Sequence, residues 1–196
     1  MALRGAKREE PCPDGGLPGK PGDPAVEGLV AAFNELRDEL VSTLVYLLGN
    51  RDDALDAAQE AFLKCWRTRE TLGDVQNLRA WIFRVGVNTA RDFRRSAWNR
   101  RVKTLGGEEL MLSAPDVAAG TALDDRETLD RLRQAIANLR DEEKEVFLLR
   151  QNGELTYEQI AEIRGAPVGT IKTQMRSALI KLRRVLNPEA LADTPT

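Results

Sequence analysis

The side chains best equipped for chemistry in this sequence are cations set against an apolar stripe. Over residues 168–186, VGTIKTQMRSALIKLRRVL, the residues Ile171, Met175, Ala178, Leu179, Leu182 and Leu186 fall at i, i+4, i+7, i+8, i+11 and i+15, one side of a helix. Off that stripe lie Thr170, Lys172, Thr173, Arg176, Lys181, Arg183 and Arg184, with no acidic residue among them. Ammonium and guanidinium groups neutralise phosphates, and hydroxyls and guanidinium groups also reach base edges. A helix that is apolar behind and cationic in front suits the DNA major groove. The same pattern is also consistent with a solvated basic face on a bundle helix. A second cationic block lies upstream. From Arg79 to Lys103 there are eight basic residues against the single acid Asp92, a net +7.

Other chemistries are excluded or lack support. The chain has no histidine, which removes Ser-His and Cys-His nucleophilic pairs and every histidine-ligated metal site. Its two cysteines, Cys12 and Cys65, stand in unrelated contexts and form neither a disulfide framework nor a zinc spacing. That usage fits a reducing cytoplasm. Residues 14–20, DGGLPGK, imitate a phosphate loop only faintly: Asp14 stands where its first glycine belongs, Pro21 follows the lysine and no strand precedes it. No metal, cofactor or catalytic residue is therefore expected.

The elements that must carry the cations are helical. Ala, Leu, Arg and Glu abound and aromatics make up only 5%, a composition that favours helix over sheet. Thr156 followed by Gln159 predicts a capping box at the start of a short helix, and Gly165 predicts the tight turn after it. With residues 168–186 these form a helix-turn-helix. Upstream, periodicity predicts helices near 129–139 and 141–151. In the first half, Leu29, Phe33, Leu36, Leu40 and Leu44 predict one helix over about 26–49, and Leu55, Ala58, Phe62, Cys65 and Trp66 a second over about 52–69. Residues 71–77 read as a loop, and a third long helix, with Trp81, Ile82, Val85, Phe93 and Trp98, extends over about 78–101.

Net charge is only −2, the sum of opposing blocks. Residues 105–130 hold seven acids against Arg126, a net −6, together with Gly106, Gly107, Pro115 and Gly120. The expected fold class is all-α. A three-helix N-terminal bundle and a four-helix C-terminal domain with a helix-turn-helix are joined by a flexible acidic linker. The layout is a disordered tail over 1–25, a first domain over 26–103, a linker over 104–128, a second domain over 129–187 and a tail over 188–196. No run approaches the roughly 18 apolar residues of a membrane span, and the N-terminus lacks the apolar core of a secretory signal.

Three segments together resemble the bacterial RNA polymerase sigma factors, specifically the compact extracytoplasmic-function (ECF) group. The run Asp56-Ala-Ala-Gln59-Glu60-Ala-Phe62-Leu63-Lys-Cys-Trp66 resembles the family's D-L-V-Q-E-x-F-L-x-x-W segment. The run Leu78-Arg-Ala-Trp81-Ile-Phe-Arg84-Val-Gly-Val-Asn88-Thr-Ala-Arg91-Asp92-Phe-Arg94-Arg95 resembles its promoter-melting and minus-ten helix. Gly169-Thr170-Ile171-Lys172 resembles the start of its minus-thirty-five reading helix, and residues 139–186 share the family's layout.

The resemblance implies a first domain equivalent to sigma region 2 and a second equivalent to region 4. It also implies a protein with no reaction of its own, which binds core RNA polymerase, directs it to promoter DNA and helps separate the strands. Asp56, Gln59, Glu60 and Leu63 would bind the polymerase. Arg84, Asn88, Arg91, Arg94 and Arg95 would hold the minus-ten strand, with Asn88 and the 71–77 loop at the positions where the family captures a flipped base. Thr170, Lys172, Thr173 and Arg176 would face the minus-thirty-five groove, with Lys181, Arg183 and Arg184 near phosphates or solvent. Trp81 would serve either as core or as a stacking platform. The acidic linker is either a tether or an RNA-like occupant of the polymerase channel. An anti-sigma factor is the expected regulator.

Three departures from the family pattern carry expectations. Ala57 and Ala58 replace bulkier aliphatic residues, which weakens part of the polymerase contact. Gln174 and Ser177 stand where many relatives carry Arg, which weakens upstream-element binding. Pro167 leaves the last helix without a side-chain cap. A stand-alone helix-turn-helix regulator would share the second domain but leaves the Asp56/Gln59/Glu60 and Asn88 segments without a role. An enzyme, or an interaction protein that retains the fold without promoter activity, are the remaining alternatives.

Overall fold

The leucines of the first helix recur every three to four residues because they all face one core. Leu29, Phe33, Leu36, Leu40 and Leu44 are all buried along α1 (Pro24–Leu48). The structure is a computed structural model that describes residues 24–103 and 123–186. The expected N-terminal tail, most of the linker and the C-terminal tail lie outside the described residues, as does the side chain of Trp98.

Gly49 ends α1 in the left-handed region, φ +74°, and its amide donates to the Val45 carbonyl at 2.8 Å. Asn50 then caps the next helix: its side chain accepts from the Asp52 amide at 2.8 Å, and Asp52 and Asp53 occupy the first turn of α2 (Arg51–Arg67). The buried side of α2 is made of small residues, Ala54, Ala57, Ala58, Ala61 and Cys65. Ala57 and Ala58, small where bulkier aliphatic residues were expected, are both buried on this face. The Cys65 thiol, buried there, has its pKa pushed up to about 12 and is a packing group.

Residues 71–77 are not wholly loop. A 3₁₀ turn covers Arg69–Asp74, begun where Thr68 Oγ1 donates to the Lys64 carbonyl at 2.9 Å and closed where the Val75 amide donates to Leu72 at 3.0 Å. Asn77 then caps α3 (Leu78–Lys103), its Oδ1 accepting from the Ala80 amide at 2.9 Å. Helix α3 buries Ile82, Phe83, Val87 and Ala90 against α1 and α2. It crosses α1 closely at Gly86, where an added Cβ would stand 2.6 Å from Leu40 Cδ1.

The second helix group begins with α4 (Leu123–Ala137), six residues ahead of the helix start predicted from apolar periodicity. The acids at 124, 125 and 127 that masked the periodicity are favourable at a helix N-terminus. It continues with α5 (Asp141–Gln151), α6 (Tyr157–Arg164) and α7 (Val168–Leu186). The Thr156–Gln159 capping box is formed in both directions, at 3.2 and 2.8 Å. Gly165, at φ +61°, turns the chain between α6 and α7. Helix α7 starts after Pro167, whose carbonyl accepts from the Ile171 amide.

Ile160, Ile163, Ile171 and Met175 join the helix-turn-helix to the core, while Ala135, Ile136, Leu139, Leu148, Ala178 and Leu182 form a second cluster. Leu179 and Leu186, expected on the apolar stripe, are instead 39% and 38% exposed, because α4 and α5 cover only the Ala178 and Leu182 side of α7. Among the described residues there is no strand, and no helix is long and apolar enough to cross a membrane.

The two helix groups touch. Tyr46 and Leu47, at the end of α1, pack on the second cluster, and Asn152 Nδ2 donates to Thr43 Oγ1 at 3.1 Å.

Candidate polymerase and nucleic-acid interfaces

On α2, Asp56, Gln59 and Leu63 project outward together because they fall at i, i+3 and i+7, opposite the alanine face. Leu63 is 44% exposed, a large apolar group left beside two polar ones. Next to it a groove of about 370 Å³ opens between α1 and α2, lined by Val30, Phe33, Val41, Leu55, Gln59 and Leu63 among others. Phe33 and Phe62 meet edge-to-face at its floor, 5.0 Å between ring centres. The arrangement offers a mainly apolar seat with the Gln59 amide at its rim. Glu60 stands apart from this trio. It is half-buried and paired with Arg67 at 3.5 Å on its own helix.

On α3 the expected minus-ten residues follow one another along the helix, but most are engaged. Arg84 pairs with Glu162 of α6 at 2.8 Å. Arg91 pairs with Glu145 and Arg94 with Asp141, both of α5. Asn88 is exposed, its Oδ1 accepting from Arg91 at 3.0 Å, and Arg95 is exposed. Trp81 does two things at once: it packs against the core and lines a cavity of about 410 Å³ with Val75, Gln76, Asn77 and Arg84. The far wall of that cavity is Gln159, Glu162 and Ile163 of α6. Asn77, in the segment expected to shape a base pocket, is the cap of α3.

On α7, Thr170, Lys172, Thr173 and Arg176 are all exposed on the helix that follows the turn. Thr173 Oγ1 donates to the Gly169 carbonyl at 2.9 Å, and the Lys172 ammonium lies 6.0 Å from the Tyr157 ring centre. Arg183 and Arg184 are exposed in the last turn, where the helix dipole favours cations. Lys181, expected near phosphates or solvent, is 40% exposed and donates to both oxygens of the buried Glu143, at 2.9 and 2.6 Å. Ser177 Oγ donates to the same carboxylate at 2.7 Å. Ser177 is therefore spent on holding α5 to α7 and does not front the groove. Burial pushes the Glu143 carboxyl up, but the bonds from Lys181, Ser177 and the Arg140 amide outweigh it and hold its pKa below the ordinary value.

The acids that meet α3 were not among the expected site residues. Their only sequence signal is a spacing: Asp141 and Glu145 sit four apart, matching one face of a helix opposite Arg94 and Arg91. The strong acidic block further upstream concealed it.

Comparison with known proteins identifies the family. The family model for sigma-70 region 2 matches residues 32–100, and that for sigma-70 region 4 matches residues 129–182. The chain is 30% identical over 176 residues to the ECF RNA polymerase sigma-E factor of Haemophilus influenzae, covering 83% of this chain and 91% of the relative. It is 31% identical over 163 residues to the ECF RNA polymerase sigma factor SigL of Mycobacterium tuberculosis, covering 80% and 89% respectively. The fold is shared with the sigma factor RpoE of Bartonella quintana, solved in complex with the anti-sigma factor NepR. That match has a TM-score of 0.69 at 24% identity and covers 84% of this chain and 97% of the other. CnrH, solved with the cytosolic domain of CnrY, matches with a TM-score of 0.54 at 20% identity, over 84% and 96%. Two region matches on two helix groups, with relatives aligned across nearly their whole length, place this chain in the ECF group of the sigma-70 family of RNA polymerase sigma factors.

Proposed function

We propose that this sigma factor binds core RNA polymerase through α2 and reads promoter DNA through α3 and α7. The observation that carries the proposal is the division of labour between exposed faces. Gln59 and Leu63 border an apolar groove on one side of the first helix group with Asp56 exposed on the same helix, and Thr170, Lys172, Thr173 and Arg176 are presented by the second helix of a helix-turn-helix in the other.

The polymerase-binding set is Asp56, Gln59, Glu60 and Leu63, with Glu60 released from Arg67 on docking. Arg84, Asn88, Arg91, Arg94 and Arg95 hold the minus-ten strand, and Thr170, Lys172, Thr173 and Arg176 the minus-thirty-five element. Phosphate contacts set affinity and base contacts set sequence. The working units are residues 26–103 and 129–187, acting in the cytoplasm without a reaction of their own. Because a solved relative is bound to an anti-sigma factor, the same kind of partner is expected to restrain this chain.

The test is transcription from fragmented genomic DNA of the host by core polymerase, with and without the protein. New transcripts whose start sites share two upstream elements at fixed spacing are expected. DNA binding without any new start would instead identify a stand-alone regulator.

A further inference from the structure

Helix α3 carries one carboxylate in the middle of residues assigned to DNA. Asn88, Arg91, Asp92 and Arg95 fall at i, i+3, i+4 and i+7, one side of the helix. Asn88, Asp92 and Arg95 are exposed, and Asp92 is the single acid among eight basic residues from Arg79 to Lys103. An open carboxylate at that place repels a phosphate strand. It also stands three residues before Arg95, close enough on a helix to pair with that guanidinium and withhold it from the strand.

A cation from another helix meets this carboxylate. The Lys64 ammonium of α2 donates to Asp92 Oδ2 at 3.3 Å and to Thr89 Oγ1 at 3.2 Å. Thr89 is fully buried, and its hydroxyl donates to the Val85 carbonyl at 2.8 Å, so its oxygen is left to accept from Lys64. Two acceptors three residues apart on α3 thus hold one ammonium between the helices.

We propose that Lys64 is a positioning residue for the minus-ten face: it engages Asp92 so that the carboxylate neither repels the strand nor captures Arg95. This inference rests on the assignment of α3 to DNA made above.

Stability does not account for the pair. The side chains of Lys64 and Asp92 are 38% and 60% exposed, and an ion pair that open contributes little to folding. Thr89 keeps its bond to Val85 whether or not Lys64 is present. Leu63, the preceding residue, lines the groove of the polymerase-binding face, and Lys64 does not. What the pair changes is the field along α3: with the ammonium at 3.3 Å, the strand meets a dipole where it would meet a net negative charge.

The experiment measures binding of a labelled mixed-sequence single-stranded DNA 20-mer by holoenzyme assembled from core RNA polymerase and the full-length protein, above the binding by core alone. Lys64→Met is expected to bind about threefold more weakly, and Lys64→Arg as the parent does. Lys64→Met/Asp92→Asn should return to parental affinity. Lys64→Met/Glu35→Gln restores the same net charge at an exposed position of α1 and should not. Parental binding by Lys64→Met overturns the proposal, as does an equal loss in Lys64→Arg. A loss that Asp92→Asn leaves in place, or that Glu35→Gln relieves equally, also overturns it. Arg95→Ala is scored beside these variants. A loss in Arg95→Ala without one in Lys64→Met refutes the role of Lys64 alone, whereas no loss in either refutes the assignment of α3 to DNA.

Discussion

Arg91 of α3 and Glu145 of α5 form an ion pair across the boundary between the two helix groups, and the second oxygen of Glu145 is held by Arg164 at 3.2 Å. One carboxylate thus serves two guanidinium groups, one of its own group and one of the other. The side chains of Glu145 and Arg164 are 10% and 14% exposed, while that of Arg91 is 37% exposed. This asymmetry decides what each substitution does.

Glu145→Ala leaves Arg164 enclosed without its carboxylate and is expected to lower the unfolding free energy by about 3 kcal/mol. Arg91→Ala keeps the Glu145–Arg164 bond and should cost about 1 kcal/mol or less, because the lost pair is partly solvated. Urea denaturation of both variants checks the difference. Equal losses would show that the cross-group pair, not the internal one, stabilises the fold.

Glu143 gives a pH dependence with a definite sign. Its folded carboxyl titrates below the ordinary range, because the bonds from Lys181, Ser177 and the Arg140 amide prevail over burial. A depressed carboxyl pKa contributes stability that is complete above the unfolded value of about 4.3 and is lost as pH falls through the folded value. Glu143→Gln should therefore be destabilised near neutral pH, with the gap to the parent protein narrowing below about pH 4. Thermal unfolding at a series of pH values reads this directly. A gap that widens in acid would contradict it.

Two glycines should respond oppositely. Gly86→Ala places a Cβ 2.6 Å from the Cδ1 of the fully buried Leu40, and overpacking there should cost about 1–3 kcal/mol. Gly28→Ala, inside α1 with nothing within 4 Å, should stabilise by about 0.5–1 kcal/mol. Paired melting curves check both. A neutral Gly86→Ala would show that Leu40 can repack freely.

Arg176→Ala removes an exposed cation from α7 and should leave stability unchanged while weakening discrimination at one upstream base pair by about 1–3 kcal/mol. Lys181→Ala should do the reverse, since its ammonium is bound at 2.6 Å to the buried Glu143 carboxylate that joins α5 to α7. Binding to the promoter recovered from the transcription experiment, measured beside melting temperature, separates the two. A Lys181 effect on DNA alone would contradict its role in holding Glu143.

What could be read from the sequence is what depends on near neighbours. The Thr156–Gln159 box, the Gly165 turn and the leucine ladder of α1 are local patterns, and each appears where it was expected. Helix starts hidden by charge, as at Leu123, were read late because acids dilute apolar periodicity while suiting a helix N-terminus. The bonds of Lys181 and Ser177 are not legible locally because their partner, Glu143, lies more than thirty residues away and is itself buried. The partners of the α3 arginines are hidden from the sequence in the same way. Nothing local to Arg84, Arg91 or Arg94 announces Glu162, Glu145 or Asp141 across the fold.

The most direct test of the central claim is co-purification of core RNA polymerase with the full-length protein, beside an Asp56→Ala/Gln59→Ala/Glu60→Ala variant. All three side chains reach the surface of α2 without entering its alanine core, so the variant should fold as the parent does. The account predicts stoichiometric binding by the parent and its loss in the variant at unchanged melting temperature. Undiminished binding by the variant, or none by the parent, would contradict it.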